Sequence, residues 1–113
     1  MAKSAPQKPN GIPSSFRLAG HTVTVKMIAE KDWADDEVAG YWNSQNLTIS
    51  VPDWFSESRV QQIFCHELVH AILHTMDERK LNDNEKFVDV FGSLLHQVWT
   101  TVEMGQAASR KHK

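Results

Sequence analysis

Residues 58–76 carry the pattern that most constrains how this chain can fold. Apolar residues recur there every three or four positions, the spacing that gathers them on one face of an α-helix. They are Val60, Ile63, Phe64, Val69, Ile72, Leu73 and Met76. Ser56 or Ser58 can cap the start of this segment, where the charge of Glu57 is also favourable. The pattern therefore predicts a long amphipathic helix.

Two histidines and a glutamate interrupt this apolar segment. Residues four apart lie one above the other on a helix, so His66 and His70 can point at one metal ion. Glu67 can then reach a water molecule bound to that ion. Because the flanking residues are apolar, these polar groups need a partner that offsets their desolvation, and a metal ion supplies one. The spacing is typical of zinc peptidases, in which the glutamate is catalytic.

A catalytic zinc site usually has three protein ligands. Glu85 opens the second predicted helix, which a short loop would bring back against the first, so its carboxylate can complete the centre. His74 stands ~6 Å along the helix axis beyond His70, too far to bind an ion that is placed between His66 and His70. His96 lies ~16 Å along its helix from Glu85, so these two residues should not bind the same ion.

Asp89 falls one turn after Glu85 on the same face of the second helix. It can accept a hydrogen bond from the nitrogen of His66 or His70 that does not bind the metal, which would fix the orientation of that ring. Glu85 and Asp89 could also exchange roles. The sequence thus predicts one Zn²⁺ per chain, with Glu85 the preferred third ligand.

Alternating and β-branched residues before the long helix predict two β-hairpins. The first joins Phe16–Leu18 to His21–Ile28, and the second joins Gly40–Trp42 to Leu47–Val51. The intervening residues 29–38 are strongly charged and predict a loop. We expect an α+β domain: a small, mostly antiparallel sheet, then the active-site helix, then a second ligand-bearing helix.

The second helix is predicted from about Glu85 to Val102, after the capping residues Asn82-Asp83-Asn84. Its core candidates are the large apolar residues Phe87, Phe91, Leu94, Leu95, Val98 and Trp99.

The composition of the chain is typical of a small globular protein. The chain has 113 residues, 41% of them hydrophobic and 23% charged, which fits one globular domain. The net charge of −2 gives no general basic surface for nucleic acid, and no apolar run is long enough for a membrane span. The only cysteine, Cys65, rules out an internal disulfide and indicates the cytoplasm. We interpret it as a buried apolar residue.

Three segments are expected along the chain. Residues 1–13 contain three prolines among polar residues and predict a flexible tail. Residues 14–104 form the domain, and residues 105–113 form a second flexible tail that ends in the basic stretch Arg110-Lys111-His112-Lys113.

Two motifs resemble those of the ImmA/IrrE-type metallopeptidases of bacteria and their phages. They are His66-Glu67-Leu68-Val69-His70 and Glu85-Lys86-Phe87-Val88-Asp89-Val90-Phe91. The resemblance implies a minimal zincin (gluzincin) fold, peptide-bond hydrolysis, Glu85 as third zinc ligand and a regulatory protein as substrate. Val88 and Asp89 replace the Ala and Asn usual in that family and are similar to the Glu-x-x-x-Asp arrangement of thermolysin-like enzymes.

A peptide or protein substrate is expected along an exposed strand edge, most plausibly residues 46–51, as an added β-strand. Tyr41 and His74 are candidates for contacts to substrate or to the developing oxyanion. One alternative is a zinc-stabilised interaction module without activity, although such a site has no use for Glu67 as a general base. A metal-dependent ribonuclease is a weaker alternative, because residues 75–80 supply no third histidine. The oligomeric state stays open.

Overall fold

A four-stranded sheet and three α-helices make up the structure, a computed structural model that describes residues 11–103. The strands are β1 (Ser15–Leu18), β2 (His21–Ile28), β3 (Tyr41–Asn43) and β4 (Thr48–Pro52). The helices are α1 (Glu57–Thr75), α2 (Arg79–Asn82) and α3 (Glu85–Thr101), with a short 3₁₀ helix at Glu30–Asp32. None of these helices is long and apolar enough to cross a membrane.

These elements confirm the predicted α+β class and both hairpins. Most of the two predicted tails, residues 1–10 and 105–113, lies outside the described residues, as does residue 104. Ile12, which the sequence assigned to the N-terminal tail, is buried in the core. The packed domain therefore includes at least this residue before position 14.

The two hairpins join through their inner strands. β2 pairs with β4 in parallel, which gives the sheet order β1-β2-β4-β3 with β1 and β3 at its edges. The expectation that residues 46–51 form an exposed edge is therefore wrong, because β4 is hydrogen-bonded to β2 on one side and to β3 on the other. The edge strand on that side of the sheet is β3.

One face of the sheet packs against α1 to form the main core. Val23, Ile49 and Val51 from the sheet meet Val60 and Phe64 of the helix, and all five are at most 2% exposed. Burying each of these side chains contributes about 1.5–3 kcal/mol relative to leaving it in water. α1 begins as predicted, with the Ser56 hydroxyl accepting a hydrogen bond from the Arg59 amide. This packing fixes the helix that carries the two histidines.

A tight C-terminal turn brings the chain back along α1. Asp77 adopts the left-handed conformation (φ 60°), its amide donates to the His74 carbonyl, and the Glu78 amide donates to the Leu73 carbonyl. This pair of hydrogen bonds is the Schellman arrangement, which ends a helix and reverses the chain. α2 follows at once, and Asn84 then caps α3 by accepting from the Phe87 amide at 3.0 Å.

α3 faces α1 with smaller residues than the sequence predicts. Val88 and Gly92 are buried, whereas Phe91, Leu94 and Val98 are 47–62% exposed, so their prediction as core residues is wrong. The reason is the close approach of the helices at Gly92, where a Cβ atom would lie 3.1 Å from the His66 Cα. A glycine there lets α3 turn the side that bears Glu85 and Asp89 toward α1.

Candidate metal centre

Three side chains from α1 and α3 converge as the sequence predicts. Glu85 Oε1 lies 3.4 Å from His66 Nε2, and Glu85 Oε2 lies 3.3 Å from His70 Nε2. One ligand atom from each of the three residues lies within 4.8 Å of the others, so the group could hold a metal ion. The N–O distances exceed the usual length of an N–H···O hydrogen bond, and they leave room for an ion between the three groups.

An oxygen atom lies behind each imidazole. Asn82 Oδ1 is hydrogen-bonded to His70 Nδ1 at 2.6 Å, whereas Asp89 Oδ1 lies 3.5 Å from His66 Nδ1, beyond the usual length of a hydrogen bond. The Asn82 oxygen accepts the hydrogen bond and so places the ring proton of His70 on Nδ1, which leaves the lone pair of Nε2 free for a metal. Asp89 lies beside His66, as predicted, without a hydrogen bond to it.

Asn82 contacts the candidate centre through His70, which the sequence did not predict. In the sequence, the stretch Asn82-Asp83-Asn84 indicates only capping residues for the next helix. In the structure Asn82 ends α2, and the turn at Asp77 places that short helix beside His70. Because this contact depends on the path of the turn, no residue spacing along the chain could have revealed it.

Glu67 lies beside the centre but not among its converging ligand atoms. Its side chain is buried, with the residue only 8% exposed. Burial raises the pKa of the Glu67 carboxyl, the nearby His66 and His70 oppose that rise, and Glu85 adds to it. A carboxyl with a raised pKa binds a proton more readily at neutral pH, which suits a group that must accept one and pass it on.

An open cavity of about 750 Å³ lies over these residues. Its walls are the α1 side chains between Arg59 and His70, residues 37–42, and Glu85 and Asp89 of α3. The side chain of Glu85 is 69% exposed, whereas those of His66 and His70 are 25% and 18% exposed. The centre is therefore held firmly from α1 and is accessible to a ligand from the cavity.

Gly40 forms part of the cavity wall at its closest approach to Glu67. A Cβ atom at this position would lie 2.5 Å from Ile63 Cγ2 and 3.0 Å from both Glu67 Cγ and Oε2. These distances leave no space for a methyl group unless α1 side chains move. The glycine thus lets the start of β3 lie directly against the carboxylate.

Gly40→Ala is expected to lower the free energy of unfolding by about 1–3 kcal/mol, because the added methyl overpacks Ile63 and displaces Glu67. Denaturant unfolding measures this change. Ile63→Ala removes the nearest clashing atom, so the double variant should lose less stability than the two single losses combined. Strictly additive losses would show that Gly40 does not press on Ile63.

The remaining candidates occupy different positions. Tyr41 is half exposed and lines the cavity. His74 does not line the cavity; its ring packs against that of Trp42, with 6.3 Å between the two ring centres. His96 is hydrogen-bonded to Gln61 and lies outside the converging group, as expected. Cys65 is fully buried, and burial raises the pKa of its thiol to about 11, so it stays protonated at neutral pH.

Comparison with protein-family models, with curated proteins and with solved structures gave no match to this chain. Its function is therefore inferred from the residues and geometry of the centre.

Proposed function

We propose that this chain is a zinc-dependent peptidase in which His66, His70 and Glu85 hold one zinc ion and Glu67 is the general base. The main support is the convergence of these ligand atoms, with Glu67 beside them, on one open cavity. A tetrahedral zinc centre with bonds of about 2.0–2.1 Å has its ligand atoms about 3.3 Å apart. Each carboxylate oxygen of Glu85 lies about that far from one imidazole, Oε1 at 3.4 Å from His66 Nε2 and Oε2 at 3.3 Å from His70 Nε2.

The openness of the centre favours catalysis over a structural role. Structural zinc sites generally have four protein ligands and are closed to solvent. Among the residues that the structure describes, three groups converge here, and Glu85 is largely exposed to a cavity of about 750 Å³. A non-catalytic module would also have to maintain the buried Glu67 carboxyl, which costs free energy and would serve no purpose there.

When bound, zinc would lower the pKa of a water molecule and polarise the scissile carbonyl. Glu67 would accept the proton from the attacking water and deliver it to the departing amine. Asn82 and Asp89 would keep the two imidazoles oriented throughout. The phenol of Tyr41, on the cavity wall, is our candidate donor to the developing oxyanion.

The strand edge that suits an extended substrate is β3. It is the edge strand on this side of the sheet, and its first residue, Tyr41, lines the cavity together with the preceding Gly40. A peptide added alongside β3 would pass over Glu67 toward the histidines. The resemblance to ImmA/IrrE-type enzymes adds the prediction that the natural substrate is a regulatory protein.

A peptide library tests the proposal. The zinc-loaded chain is expected to cleave a subset of random peptides internally, with new termini identified by mass spectrometry, because the open cavity admits an extended chain. Removing the metal with a chelator should stop cleavage, and adding zinc back should restore it. A chain that binds zinc but cleaves no peptide or unfolded protein would instead support the interaction module.

A further inference from the structure

The cavity extends along α1 well beyond the metal centre, as far as Arg59. Arg59, Ile63, His66 and His70 follow one another at helical intervals and line the same wall. His66 follows Arg59 by seven positions, which corresponds to about 10 Å along the helix axis. An extended peptide covers that distance in roughly three residues. The two ends of the cavity can therefore contact one substrate at separate positions.

Arg59 is held in place by an aromatic group. Its guanidinium carbon lies 5.1 Å from the centre of the Phe55 ring, the geometry of a cation–π contact. Phe55 packs edge-on against Trp54, and Trp54 packs in the same way against Trp33. Stacking occupies the face of the guanidinium and leaves its in-plane N–H donors free for a ligand.

Within the described part of the chain, no carboxylate forms an ion pair with this guanidinium. The ion pairs found there involve His66, His70 and Arg79, and none involves Arg59. Among residues 11–103, Arg59 is also the only arginine or lysine that lines the cavity. Of the carboxylates that line the cavity, Glu67, Glu85 and Asp89 lie toward the opposite, metal-binding end. Glu37 also lines the cavity, on the wall formed by residues 37–42, and forms no ion pair with Arg59. An anionic group in the cavity thus has one cationic side chain available to it.

We propose that Arg59 forms a subsite for a substrate carboxylate located about three residues from the cleaved bond. The planar guanidinium suits the two oxygens of a carboxylate, which it can bind in a bidentate manner. This inference rests on the proposed peptidase function for its distance to the cleaved bond, but carboxylate binding itself does not require catalysis. The carboxylate is that of an Asp or Glu side chain or of the substrate's C-terminus.

The test uses peptides built on a sequence that the library identifies. In each peptide, one position that lies two to four residues from the bond, on either side, carries Glu, Gln or Lys. Each peptide is made with a free and with an amidated C-terminus. At one position Glu should raise kcat/KM about fivefold or more over Gln, the scale of a partly exposed charged hydrogen bond. A preference that follows the free C-terminus instead assigns the subsite to the terminal carboxylate.

Substitutions connect the preference to Arg59. Arg59→Ala should remove the Glu preference, so that the ratio of kcat/KM for the Glu and Gln peptides falls to about one, and Arg59→Glu should favour Lys. Arg17→Ala removes the same charge from β1, outside the cavity, and should leave the preference intact. A Glu preference that survives in Arg59→Ala, or its absence in the wild type, overturns the proposal.

Binding measurements separate this proposal from the peptidase proposal. Fluorescein-labelled alanine decapeptides with one Glu, Gln or Lys are titrated with zinc-loaded Glu67→Gln protein, with and without Arg59→Ala. Tighter binding of the Glu peptides that disappears with Arg59→Ala supports the subsite even if the wild type cleaves nothing. Cleavage by the wild type together with equal binding of the three peptides retains the peptidase and rejects the subsite.

Discussion

Glu67→Gln is expected to lower kcat/KM for peptide cleavage by at least about 10²-fold while the zinc content stays at the wild-type value. The amide has nearly the same volume as the carboxylate but cannot accept a proton, and general acid–base catalysis typically contributes 10²–10⁴ in rate. Because Glu67 is not among the converging ligand atoms, the metal should stay bound. Steady-state kinetics on a library-derived peptide, together with elemental analysis, measures both quantities.

Glu57→Gln is the matched control for this substitution. It changes a glutamate in the first turn of the same helix, outside the cavity that contains the metal centre, and should leave cleavage unchanged. If Glu67→Gln retained full activity, the general base would have to be another group. If it lost its zinc, then Glu67 would contribute to metal binding and the predicted division of roles would be incorrect.

Glu85→Ala is expected to reduce zinc affinity by about 10²-fold or more and to abolish cleavage. The change removes the only one of the three converging ligands that comes from α3 and leaves two histidines. Zinc needs three protein ligands in a typical catalytic site, and two imidazoles alone compete poorly with a chelator. Titration against a chromogenic zinc chelator gives the dissociation constant, and circular dichroism checks that the fold is retained.

The loss of zinc affinity in Glu85→Ala can be compared with the losses in Asn82→Ala and Asp89→Ala. Each removes a group that contacts a histidine Nδ1, and loss of such a partner typically costs 10–100-fold in affinity. Asn82→Ala should have the larger effect of the two, because its contact is 2.6 Å against 3.5 Å. Zinc binding that depends on Asp89 more than on Glu85 would show that these two residues exchange roles.

The part of the centre that follows from short-range helical geometry was predictable from the sequence. His66 and His70 lie four residues apart, and the capped start of α3 at Glu85 follows α1 after a nine-residue connection. A connection this short brings the second helix back against the first. For these residues, local spacing determined the convergence that the structure shows.

Features that depend on long-range packing were not predictable in this way. The parallel pairing of β2 with β4 joins strands that are far apart in sequence, so the edge strand was assigned wrongly to residues 46–51. The sequence also placed Phe91, Leu94 and Val98 in the core, whereas the close contact of α3 with α1 at Gly92 leaves these three side chains exposed. Glycine contributes nothing to hydrophobic periodicity, although it determines how near two helices can approach.

The metal content of the purified wild-type chain tests the central claim most directly. Elemental analysis after refilling with zinc and removing excess metal should give about one zinc per chain, and Glu85→Ala prepared in parallel should retain much less. This result would establish the centre formed by two histidines and one glutamate. A wild-type chain that holds no zinc under these conditions would contradict the metal centre, and with it the proposed hydrolysis.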